Sequence, residues 1–420
     1  ENVNLLFNWN EDTLVGSTAY DNVYNEIWGV VVDDREYAII GSTYGTHFFD
    51  VTNPQSSYEA AFVMGRVVGP EIIHRDYHDY QDYLYAVSDE GASSLQIIDI
   101  STLPDSVSVV YDSSDLFERS HNIFIDTAKA RLYTTNGDIY SLEDPLDPKL
   151  IYNTPLLSCH DVYVENDTAY INTGAQGFAI VDFSQTTLEN QSHEVIGTLA
   201  SYADQGYNHS GWITPDGNYY AMADETWGMR MKMLDISDFS NIEVIALFGS
   251  DVDVNSIPHN QIINGNYLYT AYYHDGFYVH DISNPSTPIL MGYYDTFAPN
   301  HHDSYMGAWG VYPFLPSGNI LLSDMQTGLY VFEVNYENPL SNDEMLVNKN
   351  KIYPNPSDGI INVELKSVSE LELYDIQGGK VYESSDVLNL QIQTDIFSEG
   401  IYILKINDNK GTTTHKISIQ

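Results

Sequence analysis

The sequence predicts an all-β protein, a seven-bladed β-propeller followed by a small C-terminal β-sandwich, and three observations predict it. Short aliphatic or aromatic runs ending in an acid recur through the first 335 residues. Each is preceded by an alternating aromatic and aliphatic run and followed by a further β-rich run, so each repeat supplies four strands. Near residue 340 the composition changes, and a separate set of alternating runs begins.

The acid-terminated runs end at Asp50, Asp99, Asp182, Asp235 and Asp281, with weaker copies at Glu143 and Glu333. Their spacings of 39 to 53 residues average about 47, a length that suits four strands per blade. Upstream runs such as 83–87 and 267–271 read as second strands, each followed by a glycine-containing turn and the acid-terminated third strand. Downstream runs such as 194–199 and 243–248 read as fourth strands. No fourth strand follows Glu333, whereas residues 3–8 have that pattern and no blade of their own. They are expected to complete the last blade and close the ring, which hides its open edges.

Charge marks the boundary. No Lys or Arg occurs between Lys232 and Lys349, and seven lysines fall in the last 72 residues. The polar, aperiodic stretch around Pro339 reads as a linker. The expected organisation is a propeller over 1–335, a linker over 336–348 and a C-terminal domain over 349–420. Glu1 carries no preceding Met, basic region or apolar segment, so a signal peptide is expected to have been removed.

The aliphatic run ending in Asp, followed by Ile-Ser or by Val-Thr-Asn-Pro as at residues 51–54, resembles the LVIVD-repeat propellers of bacterial surface proteins, some of choice-of-anchor B type. The resemblance covers about residues 20–335. It implies a propeller fold and a cell-surface setting, and it implies no particular reaction.

Aligned on their second strands, the blades share a position ten to twelve residues upstream. It holds His74, His121, His160, His209 and His259 in five blades, and Trp28 and Trp309 in the other two. The position lies at or before the innermost strand, so a ring of histidines is expected around the central channel. Trp28, Trp309, Asp76, Asp161, His301 and His302 are expected to line that channel. Two readings stand. In one, each histidine bonds an acid or backbone group of its own blade, with Asp89, Asp224 and Asp324 as partners. In the other, neutral imidazoles converge on a divalent metal such as Zn, Cu, Fe or Ni. A metal-dependent enzyme would also need an open coordination position and a nearby acid or base, such as Asp76 or Asp161.

Composition narrows the function. With 60 acidic and 16 basic residues the net charge is -44, which repels nucleic acid and anionic lipid. The 43% of hydrophobic residues still supports a real core. No run of 18 apolar residues exists, so no transmembrane helix is expected. A single cysteine, Cys159, makes no internal disulfide and reads as a small buried hydrophobe. The 34 tyrosines and five tryptophans offer faces on which sugar rings stack. Residues 251–255 begin like a calcium loop, but Ser256 stands where that loop needs Gly and Ile262 where it needs Glu. The acidity itself remains compatible with calcium.

In the last segment, Tyr353, Pro354, Asn355, Pro356 and Gly359 precede four alternating runs, and Gly400, Tyr402 and Lys416 fall in the closing strands. These motifs, in this order, closely resemble the type A C-terminal sorting domain of the type IX secretion system of Bacteroidota. The resemblance implies that residues 349–420 engage the secretion machinery, carry the protein across the outer membrane, and are usually removed afterwards. The leading expectation is a secreted or outer-membrane-surface binding or scaffolding module for an extracellular glycan or protein. The alternative is a metal-dependent enzyme with a histidine-lined channel.

Overall fold

A computed structural model describes residues 1–297, 299, 301–336, 351–353, 355–357, 359–375, 378–398, 400–408 and 411–419. Most of the expected linker therefore lies outside the described residues. The chain divides into two compact units, Glu1–Pro339 and Leu340–Gln420.

The first unit contains seven antiparallel four-stranded sheets. Six are consecutive meanders, over residues 24–64, 75–113, 123–158, 161–199, 208–248 and 261–294. The seventh joins Ala308–Tyr312, Ile320–Asp324 and Gly328–Val334 to the amino-terminal strand Val3–Trp9, which pairs antiparallel with Gly328–Val334 as the outer strand. We number these blades 1 to 7 in that order. The first strand of each blade touches the first strands of both neighbours, round to contact between blades 7 and 1, so these strands line the axis. The fold is a seven-bladed propeller.

The repeated acid has a local cause. Asp50, Asp99, Asp182, Asp235 and Asp281 each end a third strand and accept the backbone N–H two residues later, at 2.7–3.1 Å. A short carboxylate thereby forms the turn into the fourth strand and satisfies a donor that leaves the ladder. The aliphatic residues before it alternate between the two faces of the sheet, and the cores lie between blades. Ile39 and Phe48 of blade 1 pack with Tyr77, Leu84 and Ile98 of blade 2. Ile40 and Phe49 pack with Leu321 and Val331 of blade 7.

The C-terminal unit is a curled five-stranded antiparallel sheet. Its strand Ile360–Asp375 pairs along one side with Lys380–Gln393, and on the other first with Lys351–Tyr353 and then with Gly400–Asp408. The curl encloses one core, including Ile361, Leu371, Leu373, Leu404 and Ile417. No helix among the described residues is long and apolar enough to cross a membrane.

Candidate metal centre at the channel mouth

Where the first strands begin, six aromatic rings meet at tilted angles around the axis. Ring centroids run His74–His121 4.6 Å, His121–His160 4.4 Å, His160–His209 4.0 Å, His209–His259 4.3 Å, His259–Trp309 4.5 Å and Trp309–His74 5.3 Å. The structure thus brings the five predicted histidines and Trp309 together. Trp28 is not in this ring. The seventh position falls to Asn25, in a bulge like those at His209 and Trp309; it is fully buried and leaves Oδ1 without a partner.

The histidines do not bond acids of their own blades as a rule. His121 of blade 3 donates from Nδ1 to Asp89 of blade 2 at 3.0 Å. His160 donates to the His209 carbonyl of the next blade, and His259 to that of Trp309. His74, facing Glu90, stays within its blade, and His209 comes within 3.8 Å of Glu225 of its own blade. Asp224 instead holds Lys232, Tyr202 and the Gly206 N–H, while Asp324 holds Thr296 and the turn after it. In His74, His121, His160 and His259, therefore, Nδ1 is engaged and Nε2 is the nitrogen left for a ligand. Such outer hydrogen bonds fix tautomer and orientation in metal-binding histidines.

Two groups of donors are compact enough to share an ion. They are His74, Asp89 and His121, and His160, His209 and Glu225, each with ligand atoms within 4.8 Å of one another. A tetrahedral zinc site separates its ligand atoms by about 3.3 Å, given Zn–N near 2.0–2.1 Å. Contraction of the order of 1 Å would close either set, and the mix of imidazole and carboxylate suits a borderline divalent ion.

Burial pushes the imidazoles of His160 and His209 well below the ordinary range, reinforced by neighbouring histidines. It pushes that of His259 down to about 3. His121 is the exception: burial would lower it, but Asp89 holds it above the usual value. Glu225 is pushed up to about 7 by burial, opposed by a hydrogen bond from the Tyr273 hydroxyl. Burial pushes the thiol of Cys159 well up, which disfavours the thiolate.

Beneath the ring, the next inward position of each blade forms a polar belt. Glu26, Asp76, Asn122, Asp161, Ser210 and Asn260 occupy it, with Gly310 in blade 7. A Cβ on Gly310 would stand 1.9 Å from the Glu26 carboxylate, so only glycine leaves room for it. Asn260 donates to Glu26 at 2.7 Å, Asn122 to Asp161 at 3.0 Å, and the Ile123 N–H to Asp76 at 2.7 Å. Burial raises all three carboxyls, Glu26 to about 7. Two residues further along each strand lies an aromatic collar that includes Trp28, His78, Phe124, Tyr163 and Trp212. Trp28, Asp76 and Asp161 are thus channel residues at deeper levels than the ring.

His301 and His302 gather elsewhere. His302 bonds Asp275 at 2.6 Å and packs on His274, while His301 pairs with Asp303. They lie on the loop between the last strand of blade 6 and the first strand of blade 7, against the turn after the second strand of blade 6 that carries His274 and Asp275. Sequence reasoning did not single out Glu90 or Glu225 as partners of the ring. Their signal was the Asp-Glu pair that follows the second strand in blades 2 and 5 alone.

In the C-terminal unit, Asn355 locks the first loop to the last strand, donating to the Lys416 carbonyl and accepting from the Ser418 N–H, each at 2.8 Å. Gly359 adopts φ +101°, a region open to glycine. The buried Tyr402 donates to the Ser398 carbonyl. Pro354 lies outside the described residues.

Family comparisons agree with these two architectures. Residues 158–190 and 261–296, in blades 4 and 6, match the LVIVD repeat, and residues 351–420 match the secretion system C-terminal sorting domain. No curated protein matches the chain. The large unit is therefore a β-propeller carrying LVIVD repeats. The protein as a whole is a type IX secretion cargo, secreted or displayed at the cell surface, and its C-terminal domain engages the export machinery.

Proposed function

We propose that the propeller is an extracellular binding module whose channel mouth holds a divalent transition metal, with Nε2 of His74 and His121 as one ligand pair, oriented from outside by Glu90 and Asp89, and with His160, His209 and Glu225 as the other set. The observation that carries this reading is the uniform engagement of Nδ1 in four ring histidines, which reserves Nε2. Simple latches would need no common tautomer. The mouth is open on one side: His74 and His121 are about one-fifth exposed, whereas His209 is buried. A bound ion would keep a coordination position for an oxygen or nitrogen atom of an outside ligand. Exposed Tyr207 and Trp227 sit beside the ring and its rim, at Tyr207–His160 5.4 Å and Trp227–Tyr305 5.6 Å. These faces suit stacking of a sugar or an aromatic side chain.

Elemental analysis of the purified, tag-free protein tests the proposal, with a His121→Ala/His209→Ala variant beside it. One or two equivalents of a transition metal, lost in the variant, are expected. A metal-free protein that takes up none on dialysis against Zn²⁺ would refute the metal and leave the aromatic rim as the binding surface.

A further inference from the structure

Where the first strands end, the channel opens through the aromatic collar into a cavity of about 300 Å³, bordered by Asp126, Glu165 and Phe314. The collar rings meet one another in succession: Trp28–His78 4.5 Å, His78–Phe124 4.9 Å, Phe124–Tyr163 5.0 Å and Tyr163–Trp212 4.7 Å. Behind them a second space of about 70 Å³ reaches Glu26, Asp76 and Asp161. Five acids border the two spaces, four of them wholly or partly buried and Glu165 exposed, and no Lys or Arg does. Buried carboxylates ordinarily have a cationic partner. None is supplied here by the described residues.

We propose that this end of the channel binds an ammonium group carried on an unbranched alkyl stem, such as a free alkylamine or a lysine side chain. The π faces of Trp28, Phe124, Tyr163 and Trp212 attract a cation and shed water from an alkyl chain. The belt carboxylates lie two strand residues beyond the collar, or about 6.5 Å at 3.3 Å per residue. That is the reach of a four-carbon stem like that of lysine. A metal ion fits the belt poorly, because its three carboxylates are not among the donors that come within 4.8 Å of one another. The site is separate from the mouth and does not depend on the metal proposed there.

Calorimetric titration of the full chain with n-butylammonium, in 0.3 M NaCl to screen the general negative charge, tests the proposal. n-Butanol is the uncharged control, and Nα-acetyl-lysine amide distinguishes a peptide source from a free amine. Saturable one-to-one binding of n-butylammonium, at least tenfold tighter than n-butanol, is expected. Trp212→Leu should weaken it about tenfold, and so should the near-isosteric Glu26→Gln, which keeps the acceptor for Asn260. Melting curves identify any variant that has lost its fold, and Glu26→Gln then carries the test alone. Equal binding of the alcohol and the amine would overturn the proposal, as would n-butylammonium affinity unchanged in folded variants or no saturation at all. Tighter binding of Nα-acetyl-lysine amide than of n-butylammonium would support a lysine side chain as the occupant.

Discussion

His280 provides a quantitative check on the packing of the propeller. It lies on the third strand of blade 6, 3% exposed, with Nδ1 unpartnered and Phe248 against its ring at 5.1 Å. Burial pushes its pKa from 6.5 down to about 4, only partly opposed by the Gly249 backbone. Above pH 6.5 the ring is neutral whether the chain is folded or not. Below it the unfolded chain takes up a proton that the folded chain refuses until about pH 4, so stability falls as pH falls through that window. At about 1.4 kcal/mol per unit, the full cost is about 3 kcal/mol, and about 2.5 kcal/mol is already lost at pH 4.5. His280→Leu removes the titrating group and keeps an apolar side chain in the same space. Whatever its stability at pH 7, urea unfolding at pH 7 and pH 4.5 should show the variant losing about 2.5 kcal/mol less than the parent protein. Parallel losses in the two proteins would mean that His280 protonates inside the fold, and the reasoning from burial would be wrong.

Two further outcomes follow from the described contacts. Lys232 and Asp224 form a fully buried pair at 3.0 Å in blade 5; Lys232→Met, which strands the carboxylate, should cost about 3–5 kcal/mol in urea unfolding, with partial recovery in Lys232→Met/Asp224→Asn. A single variant as stable as the parent would refute a charged pair. Deleting residues 349–420 should leave the propeller behind the outer membrane of a type IX-competent host, as read by surface labelling of intact cells, and unchanged delivery would contradict the assignment of that segment.

How much of this was legible in the sequence depends on whether the governing contact lies within one repeat or between repeats. The acid ending five of the third strands was legible because its job is local: Asp50 or Asp281 bonds a backbone N–H two residues on, and that constraint imprints itself on each copy that carries Asp. The histidine ring was legible for a related reason, since one position per blade projects to one level of the axis. Trp28 was misplaced by three residues because its Trp-Gly dipeptide matches that of Trp309, while Asn25, which holds the position, carries no ring to mark it. The partners of the histidines were harder still. Asp89 reaches forward to His121 across a blade boundary, whereas Asp224 stands one residue earlier in its blade, at the position of Ser88, and turns to a buried lysine. Counted from the acid-terminated third strand, the equivalent of Asp89 is Glu225. Lys232, eight residues on from Asp224, claims that carboxylate, and Glu225 is left beside His209. The donor chemistry of the mouth is thus set by a salt bridge one layer outside it. A sequence reading that asks which acids are already neutralised by a buried base would recover Glu225 as the group left for the channel.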